Sequence, residues 1–240
     1  MQLIKVRDYH EMSELLTKYF IDQIVSKPDS VLSFTTGKTP QEFLMKLADA
    51  INYGLDISNC IFMNLDEFVG KKDAAYSVHR FMHTYLYDNI AVMPKEIHMI
   101  NGEAEDKEEE LKRYGNILKQ HGRDIQILGL GINGHIGANE PGTPFNSRMF
   151  VADSLETTMR STKDYYGLKE EEVPTQMYTM GFTEIMEADH VILAASGSSK
   201  AYAVKAVAEG EISEDMPASI LRNHPNFTFI VDEAAGALLK

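Results

Sequence analysis

The stretch IQILGLGINGHIGANEPG, residues 125–142, sets an apolar run directly before a loop of unusual composition. Ile125, Gln126, Ile127 and Leu128 read as a buried strand. The loop after them places five glycines around one imidazole, one carboxylate and two carboxamides. A segment that only reverses the chain needs one or two Gly or Asn residues. Repeated glycine points instead to a backbone that approaches a ligand closely or adopts positive φ, with His135 and Glu140 held on either side. A long irregular loop with incidental polar residues is the plainer alternative. A strand that runs into a Gly-rich polar loop is, however, a common ligand position in open α/β sheets.

Outward from this stretch, apolar strands and amphipathic helices alternate. Upstream, Leu3–Val6, Val31–Thr35, Cys60–Leu65 and Ile97–Ile100 read as strands. Helical spacing covers Asp8–Ser26, the segment from Pro40 through Leu47, Ser77–Tyr87 and Glu103–Gln120. Downstream, Met149–Ala152 is a strand candidate and Asp164–Pro174 carries no readable period. Tyr178–Phe182, His190–Ala195 and Phe227–Val231 are strands, residues 201–208 an Ala-rich helix, Pro217–Leu221 a helical turn and Asp232–Lys240 a short terminal helix. This alternation predicts an α/β fold: a doubly wound, mostly parallel, Rossmann-like sheet with helices on both faces, in a single domain over residues 1–240. In such a sheet the loops after the strands share one edge, so TTGKTP (35–40), DEFVG (66–70), GINGHIGANEPG (131–142) and SGSSK (196–200) are expected to converge.

Whole-chain properties narrow the partners. A net charge of −13 discourages binding to nucleic acid or anionic membrane, so an anionic ligand needs local donors. The single cysteine, Cys60, excludes an intramolecular disulfide framework and, beside Ile61 and Phe62, reads as a buried thiol. No apolar run reaches membrane-spanning length and the N-terminus lacks a signal-peptide pattern, so the expectation is a cytoplasmic protein.

Each loop can carry chemistry. TTGKTP and SGSSK join strands to helices with small hydroxyls, a glycine and a lysine, where free N–H groups and the helix dipole favour an anion. Phosphate capture would use Thr36, Gly37, Lys38 and Thr39 in one loop and Ser196, Gly197 and Lys200 in the other. Ordinary N-capping explains either loop alone, whereas two at one edge favour phosphate. Asp66 and Glu67 end a strand and point to opposite sides, so one carboxylate can face a cleft as general base, or merely cap the next segment. His79 and His83 share a helix face but lack an HExxH pattern or a third ligand, and no metal is expected.

Set side by side, SFTTGKTP (33–40), NLDEFVG (64–70), GLGINGHIGANEPG (129–142), MG (180–181), SGSSKA (196–201) and PASIL (217–221) resemble the glucosamine-6-phosphate deaminase (isomerase) family over nearly the whole chain. GHIGANEPG is the specific part; the related 6-phosphogluconolactonases share the GH but continue differently. The resemblance implies aldose–ketose isomerisation and deamination of an amino-sugar 6-phosphate: glucosamine 6-phosphate and water to fructose 6-phosphate and ammonia. Galactosamine 6-phosphate going to tagatose 6-phosphate is the alternative. It further implies that His135 assists ring opening, oriented by Asn133 and Glu140, and that Asp66 shuttles a proton between C2 and C1. Gly134 would lie along the sugar, and no cofactor would be needed.

Some positions depart from the family pattern. Asn133 stands where many relatives have Asp, Lys38 where a small residue is usual, and Ala138 where an aromatic is usual. The phosphate-clamping arginine of an SRFF-like stretch has no counterpart in STKDYYG, residues 161–167. Lys163, Arg160 or Lys38 would compensate, with Lys38 preferred. The choice of sugar is expected to lie with Ala138 and residues 161–167. Phe150 and Ala152 replace basic residues of allosteric relatives, and a C-terminal extension is missing, so a monomer or small homo-oligomer is expected. Two other classes fit the fold: a sugar-phosphate lactonase, against which NEPG argues, and a sugar-phosphate sensor, which would carry a DNA-binding segment.

Overall fold

The computed structural model describes residues 1–240. Its main sheet has seven strands in the order β1-β10-β9-β6-β2-β3-β5, where β1 is Gln2–Val6, β2 Val31–Phe34, β3 Ile61–Asn64, β5 Glu96–His98, β6 Ile125–Gly129, β9 His190–Ala195 and β10 Phe227–Asp232. Every pairing in it is parallel. The central strands are buried along almost their whole length, which is why they read as continuous apolar runs rather than as alternation.

Helices cover both faces. Helices α1 (Tyr9–Ser26), α2 (Lys38–Asn52) and α3 (Val78–Tyr85) pack Phe20, Phe43 and Phe81 against Leu32, Phe34 and Phe62. The rings of Phe20, Phe34, Phe43 and Phe62 form a chain of tilted and edge contacts at 4.7 to 5.4 Å, an arrangement that favours aromatic quadrupoles. On the other face, α4 (Lys107–His121), α6 (Phe182–Met186) and α7 (Ala201–Glu209) bury Tyr114, Phe182 and Val204. Capping residues mark several starts: the Asp8, Ser77 and Asp106 side chains accept from the first turns of α1, α3 and α4.

From β2 the chain moves outward through β3 to β5, then returns to lay β6 beside β2 and moves outward the other way through β9 and β10. The direction reverses between β2 and β6, and the crevice at the carboxyl ends of those strands is where open α/β sheets bind ligands. TTGKTP and the Gly-rich loop meet there.

Some expectations need correction. Asp66 and Glu67 do not end a strand; Asp66–Phe68 is itself a strand, β4, in a separate three-stranded antiparallel sheet with β8 (Gln176–Thr179) and β7 (Phe150–Asp153). The strand expected over Tyr178–Phe182 therefore lies earlier, and α6 begins where it was expected to end. The unreadable segment contains the end of helix α5, Glu156–Tyr166, which buries none of its side chains fully and so has no apolar stripe to read. The last residues form turns rather than a helix, because the Asp232 carboxylate takes the N–H of Ala235 at 2.7 Å and ties the chain into a turn.

Candidate active site

The crevice opens into a cleft of about 570 Å³. Its wall from the β2 loop comprises Thr35 to Thr39; from β4 come Asp66 and Phe68; from the Gly-rich loop come Gly129 to Asn133, His135 and Gly137. Lys200 also lines it, and α5 contributes Thr157, Thr158, Ser161, Thr162, Asp164, Tyr165 and Tyr166.

Asp66 brings an unpartnered carboxylate to the cleft. It is 6% exposed, and its Oδ1 is buried without any hydrogen-bond partner. Such a carboxylate is expensive to ionise, and burial together with the neighbouring Glu67 charge pushes its pKa up to about 7. Strand alternation turns Glu67 away from the cleft. There it accepts from the N–H groups of Phe68, Val78 and His79 at 2.8 Å each and from the Ser77 hydroxyl at 3.1 Å, pinning the N-terminus of α3. Burial pushes the Glu67 carboxyl up as well, against the pull of those four donors. One carboxylate thus builds the fold while its neighbour is left unpartnered at the cleft.

His135 lies on the Gly-rich loop with its Nδ1 3.2 Å from Glu140 Oε2, close enough for a charge contact but not aligned as a hydrogen bond. Glu140 itself does not line the cleft; it stands behind the imidazole. Asn133 Nδ2 donates to its Oε2 at 2.7 Å and Thr158 Oγ1 to its Oε1 at 2.7 Å. Burial raises the Glu140 carboxyl, but the His135 contact and those two hydrogen bonds outweigh it and hold the pKa down to about 2. Glu140 is therefore a fixed anion beside the ring. Asn133 also accepts the His135 backbone N–H at 3.2 Å, so it orients both partners.

The glycines make room for protein as much as for ligand. A Cβ on Gly131 would come within 2.5 Å of the His135 ring. Gly134, at φ +87°, would meet the Met216 sulfur at 2.1 Å if it carried a Cβ, and it does not line the cleft.

The two lysine loops divide differently from expectation. Thr36, Gly37, Lys38 and Thr39 line the cleft at the start of α2, which has no side-chain N-cap, and Gly129 lies against Thr39. Lys200 also lines it, and burial lowers its pKa. Neither lysine has an acidic partner, and Lys38 Nζ sits 5.7 Å over the Tyr165 ring. Ser196 and Gly197, by contrast, are taken by Asp232: the Ser196 hydroxyl and the Gly197 N–H both donate to its carboxylate. Their work is to brace the loop that presents Lys200. Lys163 pairs with Glu170 outside the cleft, and Arg160 does not line it, which leaves Lys38 and Lys200 as the cations at hand. Ala138 also lies outside the lining; its N–H donates to Thr179 Oγ1 at 3.1 Å.

Other candidates stay structural. Cys60 is buried, and burial pushes its thiol up to about 11. His79 and His83 stack on one another, His83 also meeting Asp88 at 2.8 Å. The donors that do come together elsewhere, Glu96, His98 and His121, lie on β5 and at the end of α4, and none lines the cleft.

Comparison with known proteins places the whole chain. The family described as glucosamine-6-phosphate isomerases/6-phosphogluconolactonase matches residues 8–229. The chain belongs to this family. It is 39% identical to a glucosamine-6-phosphate deaminase of Thermoanaerobacter pseudethanolicus over 100% of this chain and 95% of that protein. It is 41% identical to one of Bacillus cereus strain B4264, over 99% and 89% respectively. A solved monomeric glucosamine-6-phosphate deaminase superposes with a TM-score of 0.95 at 37% identity, over 99% of this chain and 100% of that one. The 6-phosphogluconolactonase of Trypanosoma brucei, at a TM-score of 0.81 and 19% identity, shares the fold, with 100% of this chain and 98% of that one covered.

Proposed function

We propose that the protein is an amino-sugar-6-phosphate deaminase converting glucosamine 6-phosphate and water to fructose 6-phosphate and ammonia. The observation that carries this reading is the buried Asp66 carboxylate, unpartnered in a sugar-sized cleft that also holds an imidazole backed by a fixed anion. Relatives of that name at about 40% identity over the full chain support it.

The chemistry follows from the arrangement. Lys38, Lys200 and the uncapped start of α2 hold the 6-phosphate. His135 takes the proton of the C1 hydroxyl and returns it to the ring oxygen, opening the pyranose, while Glu140 stabilises the transient imidazolium. Asp66 removes the C2 proton; the electron pair forms the C1–C2 double bond of an enolamine as the C1 carbonyl oxygen takes up a proton. Asp66 then delivers its proton to C1, which gives a C2 ketimine. Water adds to C2 and ammonia leaves, yielding the ketose. A base near pKa 7 suits the second step, since an ordinary aspartate would be too weak for a carbon acid. The molecule acts as a monomer, like the solved deaminase it matches, in the cytoplasm where phosphorylated sugars are found.

Ammonia release from glucosamine 6-phosphate, galactosamine 6-phosphate and 6-phosphogluconolactone tests the reading. Release is expected from the first. Hydrolysis of the lactone without ammonia from either amino sugar would overturn it, and preference for the galacto epimer would reassign the substrate.

A further inference from the structure

We infer that Thr158 is a positioning residue that couples helix α5 to the His135–Glu140 pair. Glu140 has a side chain 14% exposed and depends on neighbours for its orientation. On Oε2 it meets Asn133 and His135, both from its own loop; on Oε1 its partner is the Thr158 hydroxyl at 2.7 Å, eighteen residues away on α5. That bond is the one side-chain hydrogen bond α5 makes to the Gly-rich loop, and α5 has no fully buried side chain to seat it otherwise. The same helix lines the cleft with Thr157, Ser161, Thr162 and Tyr165.

The consequence is geometric. The His135–Glu140 contact is not aligned as a hydrogen bond, so the carboxylate stays beside Nδ1 because Asn133 and Thr158 hold its two oxygens. Without Thr158 one oxygen of a mostly buried anion has no protein donor, and the carboxylate turns toward whatever donor or water it can reach. The Thr158 bond thereby ties the anion behind the ring-opening imidazole to the helix that lines the cleft. Thr158 itself performs no proton transfer.

This inference rests on the deaminase reading, and two measurements separate the two. In ammonia-release kinetics, Thr158→Val is expected to lower kcat roughly tenfold with KM within roughly twofold, as for loss of a hydrogen bond to a charged group. Thr158→Ser is expected to recover most of the loss. In a Glu140→Gln background, Thr158→Val should add nothing further, because the two residues act through one contact. Additive losses in that cycle, or wild-type kcat in Thr158→Val, would overturn the coupling. The second measurement needs no turnover: in NMR spectra of the histidine side chains, Thr158→Val should move the His135 ring signals in the same direction as Glu140→Gln. Unmoved His135 signals would overturn the inference even in an active enzyme. Absence of ammonia release from the wild type, with the His135 signals moved, would instead remove the functional reading and leave the coupling standing.

Discussion

Replacing Asp66 by asparagine should abolish turnover and, at the same time, make the protein more stable. The native carboxyl is buried beside Glu67 and has its pKa pushed up to about 7, against an ordinary value of 3.8. Between those two values the folded protein holds a proton that the unfolded chain has released, so stability is full below about pH 4 and declines as pH rises toward 7. The accumulated loss is about 4 kcal/mol at neutral pH and above. An asparagine side chain has nearly the same shape and never ionises, so the variant escapes this loss. Urea denaturation should show Asp66→Asn stabilised by up to about 4 kcal/mol at pH 8, a rise in Tm of roughly 10 °C for a chain of this size. Near pH 4 the two proteins should unfold at similar urea concentrations. Equal stability at pH 8, or a destabilised variant there, would refute the claim that a costly buried charge is held at the cleft for chemistry.

The remaining expectations concern the neighbours of Asp66 and the phosphate end. In the wild type, kcat/KM should rise as pH passes through about 7, because the base must be ionised. Glu67→Gln removes the adjacent charge but not the burial, so that limb should move to lower pH, the two carboxyls titrating as a coupled pair; an unmoved limb would mean Glu67 has no electrostatic role. Lys38→Ala and Lys200→Ala should each raise KM for the sugar phosphate at least roughly tenfold with little change in urea midpoint, since neither lysine has an acidic partner to lose. An unchanged KM in Lys38→Ala would remove it as phosphate ligand.

The parallel sheet was legible because its strands are buried on both faces and so appear as unbroken apolar runs, Ile125–Leu128 and His190–Ala195 among them. The cluster of His135, Glu140 and Asn133 was legible for a different reason: the three sit in one loop whose repeated glycines a plain turn would not need. What escaped the sequence was built from non-local pairing. Strand β4 carries Asp66 and Glu67 into a second sheet only because β8, more than a hundred residues later, supplies its partners. Helix α5 has threonines, a serine and an aspartate on its cleft side, and with no fully buried face it gives no hydrophobic period. Thr158 was invisible for the same reason. Ser196 and Gly197 looked like phosphate donors because nothing in SGSSK reveals that Asp232, from the last strand, already takes their hydrogens.

The most direct measurement follows the hydrogen on C2. Glucosamine 6-phosphate deuterated at C2 is turned over in ordinary water and the fructose 6-phosphate is analysed by mass spectrometry and NMR. If Asp66 is the single base that carries this proton, part of the label should appear at C1 of the product, the rest being lost to solvent from the carboxyl group. Asp66→Asn should neither transfer nor wash out the label. Label lost from C2 or moved to C1 at the wild-type rate in Asp66→Asn would contradict the assignment.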